Sequence, residues 1–159
     1  MTWGALAEMR TLLLELRPGA LTEIDLRDLL HQLTQAARAG APLLQVTLST
    51  DGEQKLPPDV QVTLYRVAQE ALNNIVKHAD ARSVQVKLRR RSHRAELQVS
   101  DDGRGYDPAA IPAGHLGVSI MRERVDAIGA TLAIRSRPGR GTSVSVVWRD
   151  ATRRMSTHQ

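Results

Sequence analysis

The segment Gln69-Glu70-Ala71-Leu72-Asn73-Asn74-Ile75-Val76-Lys77-His78-Ala79 is compatible with a single helix that carries two kinds of side chain on neighbouring faces. At about 3.6 residues per turn, the polar stripe consists of Glu70, Asn74, Lys77 and His78. The adjacent stripe is apolar and consists of Leu64, Val67, Ala68, Ala71 and Ile75. The segment therefore predicts a core-packing helix with polar groups along one edge. These groups suit a hydrated magnesium ion and a polyphosphate, because magnesium prefers oxygen ligands and keeps several waters.

Three glycine-containing segments follow this helix. Asp101-Asp102-Gly103-Arg104-Gly105 ends a strand-like run, so the Asp101 carboxylate is predicted to project from a sheet rim and to accept a hydrogen bond from an exocyclic amine. Its glycines allow the backbone to approach a ligand closely. Gly114-His115-Leu116-Gly117-Val118 leads into a helix, whose first amides form an anion site. Gly139-Arg140-Gly141-Thr142 offers the Thr142 hydroxyl to a nucleotide. Taken singly, each segment is explained as well by a turn or a helix cap.

Composition limits the classes of protein to which the chain can belong. Its 159 residues are 42% apolar, which fits one domain with a core of its own. The chain contains no apolar run of about 18 residues. There is no cysteine, so disulfides and thiolate metal sites are excluded. We therefore expect a metal, if one is bound, to have oxygen or imidazole ligands, and we expect no membrane contact from this segment.

The net charge of +5 raises the question of nucleic-acid binding. Much of the charge lies in Arg89-Arg90-Arg91 and Arg94, between two strand-like runs. The sequence has no phenylalanine, two tryptophans and two tyrosines, which supplies few stacking surfaces for bases. We therefore predict that this arginine cluster is a solvated hairpin tip and that nucleic acid is not a partner.

Periodicity and turn signals divide the chain into four helices and five strands. The predicted helices are 3–16, 25–39, 57–79 and 116–128, and the predicted strands are 43–49, 83–90, 94–101, 131–136 and 142–148. Asp25 is the expected cap of the second helix. Residues 102–114 are too rich in glycine and proline for a regular element and are predicted to form a loop, and loops of this length usually have a function or move.

The order of these elements does not alternate strictly between strand and helix, and hairpins dominate the second half. This pattern predicts an α+β fold, in which a mixed sheet carries helices on one face as a two-layer α/β sandwich. A helix fragment precedes it. The predicted division is a helical segment at 1–18, a folded domain at 19–149 and a flexible tail at 150–159.

With these motifs in place, the chain resembles the ATP-binding catalytic domain of bacterial sensor histidine kinases, in the GHKL superfamily with its Bergerat ATP-binding fold. Residues 70–78 look like the asparagine box of that family, and the three glycine segments look like its glycine boxes and its terminal glycine-threonine element. Within the family, Glu15-Leu16-Arg17-Pro18 and Met121-Arg122-Glu123-Arg124 resemble the subclass of nitrate/nitrite sensors and DesK.

The resemblance implies Mg2+ and ATP as cofactors, implies that the loop 102–114 acts as a lid, and assigns roles to individual residues. Asn74 looks like the magnesium ligand, Glu70 like the catalytic carboxylate and Asp101 like the acceptor of the adenine amine. The remaining nucleotide-binding residues implied by the resemblance are Lys77, His78, Gly103, Gly105, Tyr106, Gly114, His115, Leu116, Gly117, Val118 and Thr142.

The same resemblance implies a γ-phosphoryl transfer to a histidine of a phosphotransfer domain, and then signalling to a response regulator. None of the five histidines has the sequence context of that acceptor; they are His31, His78, His93, His115 and His158. Residues 1–18 resemble the end of the second dimerisation helix. We therefore expect the acceptor to lie outside this chain, and we expect the chain alone not to autophosphorylate. The expected location is cytoplasmic, with a parent protein that is either soluble or membrane-anchored.

Two other functions are compatible with the sequence. One is a serine kinase of the anti-sigma type in the same superfamily, which would also use Glu70 as a base. The other is a non-catalytic interaction module that binds ATP weakly or not at all.

Overall fold

The computed structural model describes residues 19–107 and 116–151. The predicted first helix, most of the predicted lid and the end of the tail lie outside these ranges. Within them, the strands and the helices from α2 to α4 follow the predicted order, whereas the short helix α1 was not predicted. The helices and strands are as follows: α1 (Ala20–Glu23), α2 (Leu26–Gly40), β1 (Gln45–Asp51), α3 (Pro58–Asn74), a π-helical turn (Ile75–Ala79), β2 (Ser83–Arg91), β3 (Arg94–Asp101), α4 (Leu116–Ala127), β4 (Thr131–Ser136) and β5 (Thr142–Arg149).

The five strands form one mixed sheet in the order β1-β2-β3-β5-β4. β1 and β2 are parallel, and the other neighbours are antiparallel. The parallel pair needs a crossover connection, and α3 with its π-helical turn provides it, since these helical residues join β1 to β2. The helix that carries the predicted polar stripe is therefore also a topological element of the sheet.

One face of the sheet is covered by helices and the other is open. Alternate residues of the three central strands are buried in one core with residues of the helices, among them Val84, Val86, Leu97, Val99 and Val146. In that core α2 contacts β1, α3 contacts β3 and β5, and α4 contacts β4. The strand residues between the buried ones, such as Gln85, Lys87 and Gln98, are exposed. The predicted α+β fold with helices on one face is confirmed.

The start of the domain is tied to α3 and to the sheet. Asp25 caps α2, where its carboxylate accepts a hydrogen bond from the Arg27 amide at 3.0 Å. The buried amide of Gln61, in the first turn of α3, donates to the carbonyls of Leu21 and Ile24 at 2.8 and 2.7 Å. Both ends of the short α1 are thus fixed to the core.

Arg90 corrects the prediction of a solvated arginine cluster. Its side chain is 1% exposed and forms two hydrogen bonds to the Asp25 carboxylate, at 2.8 and 3.2 Å. Alternation along β2 is the reason, because Arg90 points to the same inner face as Val84, Val86 and Leu88. Its neighbours Arg89 and Arg91 are exposed, as predicted.

The end of the motif helix also differs from the prediction. It ends at Ala79 as expected, but its last turn is π-helical, which inserts one residue into the ladder of backbone hydrogen bonds. The carbonyls of His78 and Ala79 bond to Arg104 instead of continuing the helix. Asp80 then reverses the chain with a left-handed backbone, at φ 50°.

Candidate nucleotide-binding site

Strand register brings the polar ends of three strands together at one edge of the inner face. Asp101 of β3 is paired with Thr142 of β5, and Thr142 is paired with Ser136 of β4. The next inward row consists of Val99, Val144 and Ile134. A polar edge therefore borders an apolar floor.

A cavity of about 390 Å³ lies between this edge and the motif helix. Its floor is apolar, one wall is α3 with the π-helical turn, and the opposite wall is α4. The described lining residues are Ala71, Asn74, Ile75, His78, Ala79, Val99, Asp101, Arg104, Gly105, Tyr106, Asp107, Val118, Met121, Ile134, Thr142 and Val144. An apolar slot with a few convergent polar groups is the usual form of a small-molecule site.

Asp101 is the carboxylate at the edge of this cavity. It accepts a hydrogen bond from the Gly103 amide at 2.8 Å. Burial raises the pKa of Asp101, and the charge of Asp102 raises it further, while the amides of Gly103 and Thr142 oppose the shift. Among residues 19–107 and 116–151, no lysine or arginine forms an ion pair with it. Its carboxylate is therefore held in place by amides without being neutralised by a cation.

The adjacent Asp102 has a different task. Its carboxylate accepts hydrogen bonds from the amides of Arg82 and Ser83, at 2.8 and 2.9 Å, and from the Ser83 hydroxyl at 3.1 Å. The bond from the Ser83 amide lowers the pKa of Asp102. Asp102 thus anchors the glycine loop to the start of β2, and it does not line the cavity.

Gly103 and Gly105 allow close backbone packing, but the contacts are within the protein. A Cβ atom on Gly103 would lie 2.2 Å from the Ala79 carbonyl oxygen. Gly105 has φ +59°, and a Cβ there would lie 2.1 Å from the Arg137 carbonyl oxygen. Both glycines therefore seat the loop between the motif helix and the last hairpin, and Gly105 also lines the cavity. That they let the backbone approach a ligand stays a prediction.

Hydroxyl groups join the glycine loop to that hairpin. The Ser136 hydroxyl accepts a hydrogen bond from the Tyr106 amide at 2.9 Å and lies 2.8 Å from the Thr142 hydroxyl. The Thr142 hydroxyl, which was expected to reach the nucleotide, is therefore shared with Ser136. Burial raises the pKa of the Tyr106 phenol, although the nearby Arg122 guanidinium opposes this. Ser136 escaped the sequence interpretation because only strand pairing brings it to this edge.

The polar stripe of the motif helix divides into two groups. Asn74 and His78 line the cavity, whereas Lys77 and Glu70 do not. Lys77 is exposed on the π-helical turn. Glu70 is partly buried where α4 begins, and a Cβ on Gly117 would lie 2.2 Å from its Oε1 atom. Gly117 therefore serves to let α4 pack over Glu70.

The second glycine segment is only partly described. The backbone of Leu116 begins α4, and Val118 lines the cavity. Gly114 and His115, which were also predicted to bind nucleotide, lie outside the described residues. Residues that sequence reasoning missed on the same wall and floor are Met121, Ile134, Val99 and Val144. Their apolar character gave no signal beyond that of ordinary core positions.

The residues fit magnesium that is shared with a phosphate ligand, and they do not fit a metal site made by protein alone. Within the described part of the chain, no group of three or more His, Cys, Asp or Glu residues is placed to hold a metal ion. The exposed Asn74 amide at the cavity wall offers one oxygen ligand. Magnesium usually keeps several waters and is completed by substrate phosphates, so one protein oxygen is sufficient.

Comparison with known proteins shows the family of this chain. Residues 59–152, more than half of the chain, match the family model described as histidine kinase-, DNA gyrase B- and HSP90-like ATPase. The chain belongs to this family. The resemblance drawn from the asparagine and glycine boxes is thus confirmed.

Two curated relatives support the subclass. The signal transduction histidine-protein kinase/phosphatase UhpB of Salmonella typhimurium is 37% identical over 150 residues, which are 92% of this chain and 29% of the relative. The histidine-protein kinase/phosphatase DegS of Brevibacillus brevis is 30% identical over 146 residues, which are 92% of this chain and 38% of the relative. The chain spans well under half the length of either.

A solved structure supports the architecture. The blue-light activated histidine kinase of Erythrobacter litoralis EL346 is 26% identical with a TM-score of 0.68, and the match covers 79% of this chain and 45% of that one. In the described part of this chain, no helix is long and apolar enough to cross a membrane.

Proposed function

We propose that this chain binds Mg-ATP as the catalytic module of a two-component sensor histidine kinase. The observation that carries the proposal is the cavity itself, which combines an apolar floor, the Asp101 carboxylate and the polar Asn74–His78 wall in one place. Membership of the histidine kinase-like ATPase family and the two kinase relatives support it.

In this proposal, the adenine lies over the apolar floor and its amine donates to Asp101. Asn74 provides an oxygen ligand to magnesium, and Lys77 and His78 face the phosphates. Magnesium, when bound, neutralises phosphate charge. Glu70 lies at the helix position proposed for the catalytic carboxylate. Phosphoryl transfer depends mainly on positioning and charge neutralisation, which a helix docked on a rigid sheet supplies.

The γ-phosphoryl group is transferred, in this proposal, to a histidine of a phosphotransfer domain and then to a response regulator. Residues 19–149 are the catalytic domain in this proposal. The module works in the cytoplasm. The acceptor histidine is supplied by a domain other than residues 19–149.

Calorimetric titration of Mg-ATP tests the binding step. Asn74→Ala is expected to abolish magnesium-dependent binding, because it removes the protein oxygen ligand from the cavity wall. Asn73→Ala is the matched control, since Asn73 is an exposed neighbour on the same helix that does not line the cavity. Unchanged affinity in Asn74→Ala contradicts the assignment. Failure of the unmodified chain to bind Mg-ATP favours the non-catalytic interaction module.

Phosphotransfer is tested by adding a separate phosphotransfer fragment and labelled ATP. Label on its histidine is the expected result. Acid-stable label on a serine of a protein substrate would instead favour the anti-sigma-type kinase. Binding of Mg-ATP without transfer to any acceptor would limit the function to nucleotide binding.

A further inference from the structure

Arg104 connects three parts of the candidate site through three hydrogen bonds. Its backbone amide donates to the Ala79 carbonyl at 2.8 Å, and its side-chain Nε donates to the His78 carbonyl at 2.8 Å. Its own carbonyl accepts from the Gly139 amide at 2.6 Å. One residue thus joins the motif helix, the first glycine loop and the last hairpin.

The two hydrogen bonds from Arg104 to the helix satisfy carbonyl groups at its C-terminal end. The last carbonyls of a helix have no partner within the helix, and a positive charge is favourable at this end. Here both terminal carbonyls are satisfied by Arg104, and the flanking Gly103 lets its backbone lie against Ala79 without a clashing Cβ. The end of the π-helical turn is therefore held by the loop that follows Asp101.

The position of this turn matters because it carries the groups proposed for the phosphate side of the site. Lys77 and His78 lie within it, and His78 lines the cavity together with Arg104. The adenine side is different, because Asp101 and the apolar floor belong to the sheet. Loss of the Nε bond would therefore disturb one side of the site and leave the other in place.

We propose that Arg104 is a positioning residue of the nucleotide site, whose Nε hydrogen bond to the His78 carbonyl fixes the π-helical turn in the orientation that receives the phosphates. This inference rests on the proposed binding of Mg-ATP. The sequence interpretation quoted Arg104 only as a member of the first glycine segment and gave it no role.

Arg104→Met tests the proposal, since it keeps the two backbone bonds and an unbranched side chain as far as the Nε position, while it removes Nε and the rest of the guanidinium group. Because a hydrogen bond from a charged donor contributes a substantial free energy, its loss should lower Mg-ATP affinity about tenfold. Adenosine affinity should change less than about threefold, because its contacts are on the sheet. Arg82→Met is the control: it removes a nearby exposed arginine whose side chain does not line the cavity.

Two conservative variants separate the hydrogen bond from the charge. Arg104→Gln places a neutral amide nitrogen where Nε stands and is expected to recover most of the lost Mg-ATP affinity. Arg104→Lys keeps the charge but places a methylene at that position and is expected to bind as poorly as Arg104→Met. Recovery by lysine and not by glutamine would overturn the proposal in favour of a direct charge effect on the phosphates.

Hydrogen exchange makes the inference testable apart from the proposed function. In Arg104→Met without nucleotide, the amides of the π-helical turn should exchange faster, while those of β3 should be unchanged. Unchanged exchange in the turn, or equal loss of Mg-ATP and adenosine affinity, would overturn the inference. Failure of the unmodified chain to bind Mg-ATP would refute the proposed function and leave the exchange result as the test of Arg104.

Discussion

Arg90 and Asp101 lie at opposite ends of the same inner face of the sheet, and only the charge of Arg90 is neutralised by an oppositely charged partner. Arg90 is almost fully buried and is neutralised by Asp25. Asp101 is partly buried, borders a cavity and is supported by amides only, without a cation among the described residues. A paired buried charge indicates a structural role. A partly buried carboxylate that faces a cavity, with a raised pKa, indicates a binding role.

The largest expected effect comes from breaking the buried ion pair between Arg90 and Asp25. Asp25→Ala removes both the cap of α2 and the partner of a buried guanidinium. The free energy of unfolding should therefore fall by about 3 kcal/mol. The expected loss is smaller than that for a fully buried ion pair because the Asp25 side chain is itself partly exposed. Urea denaturation measures this difference.

Arg91→Gln is the control for that experiment. It breaks an ion pair of similar length, 2.7 Å between Arg91 and Asp51, in which both side chains are more than half exposed. Exposed pairs contribute little, so no detectable change in the denaturation midpoint is expected. Equal destabilisation by the two substitutions would show that burial does not distinguish them.

A smaller effect is expected from changing Asp101, and it should appear in nucleotide affinity. Asp101→Asn should leave the free energy of unfolding nearly unchanged and reduce ATP affinity about tenfold, with a smaller effect on GTP, because the lost acceptor faces the adenine amine. Asp102→Asn is the matched neighbour and should lower stability while affecting both nucleotides equally, since Asp102 anchors β2. Calorimetry with both nucleotides distinguishes these outcomes. A parallel loss of ATP and GTP affinity in Asp101→Asn would argue against adenine recognition.

The smallest effect expected is in the pH dependence of stability. The contributions of Asp25 and Asp101 to the free energy of unfolding should change in opposite directions with pH. Arg90 lowers the pKa of Asp25 below 3.8, so this carboxylate stabilises the fold above that pH, and the contribution is lost as pH falls through the folded pKa. Burial raises the pKa of Asp101 above 3.8, so its contribution is present below that pH and is lost as pH rises through the folded pKa.

Denaturation curves between about pH 3 and pH 6 test these signs. Relative to the unmodified chain, Asp25→Asn should lose less stability on acidification. Asp101→Asn should gain relative stability as pH rises. Changes of the same sign in both variants would contradict the distinction between a paired and an unpaired carboxylate.

Local patterns predicted most of the fold. Alternation identified both strands of the β2–β3 hairpin, and the helix predicted from residue 57 begins at Pro58. Arg90 was placed wrongly because its partner is 65 residues away in the sequence, and no local pattern connects them. Periodicity alone favoured burial of Arg90, but the neighbouring arginines favoured a solvated tip.

The site was predictable in outline and not in its contacts. The motif spacing brought Asn74, His78 and Asp101 to one cavity, as expected. It singled out Asp101 but did not reveal that Asp102 anchors the loop to β2, because that role depends on how the loop folds back on Arg82 and Ser83. It also could not reveal the Ser136 hydroxyl bridge or the bonds of Arg104, since both depend on strand register and on the way the chain closes.

The crossover role of α3 has a consequence for the evolution of such domains. β1 and β2 are the only parallel neighbours among the described strands, and α3 with its π-helical turn is what joins them. A lineage that loses nucleotide binding can discard the polar groups of this helix, but it cannot delete the helix without also losing β1 from the sheet. A descendant that no longer binds nucleotide would therefore keep the same fold while other residues replace the polar side chains of α3. Under the proposed function, Asn74 and Asp101 are for that reason better markers of nucleotide binding than the fold itself.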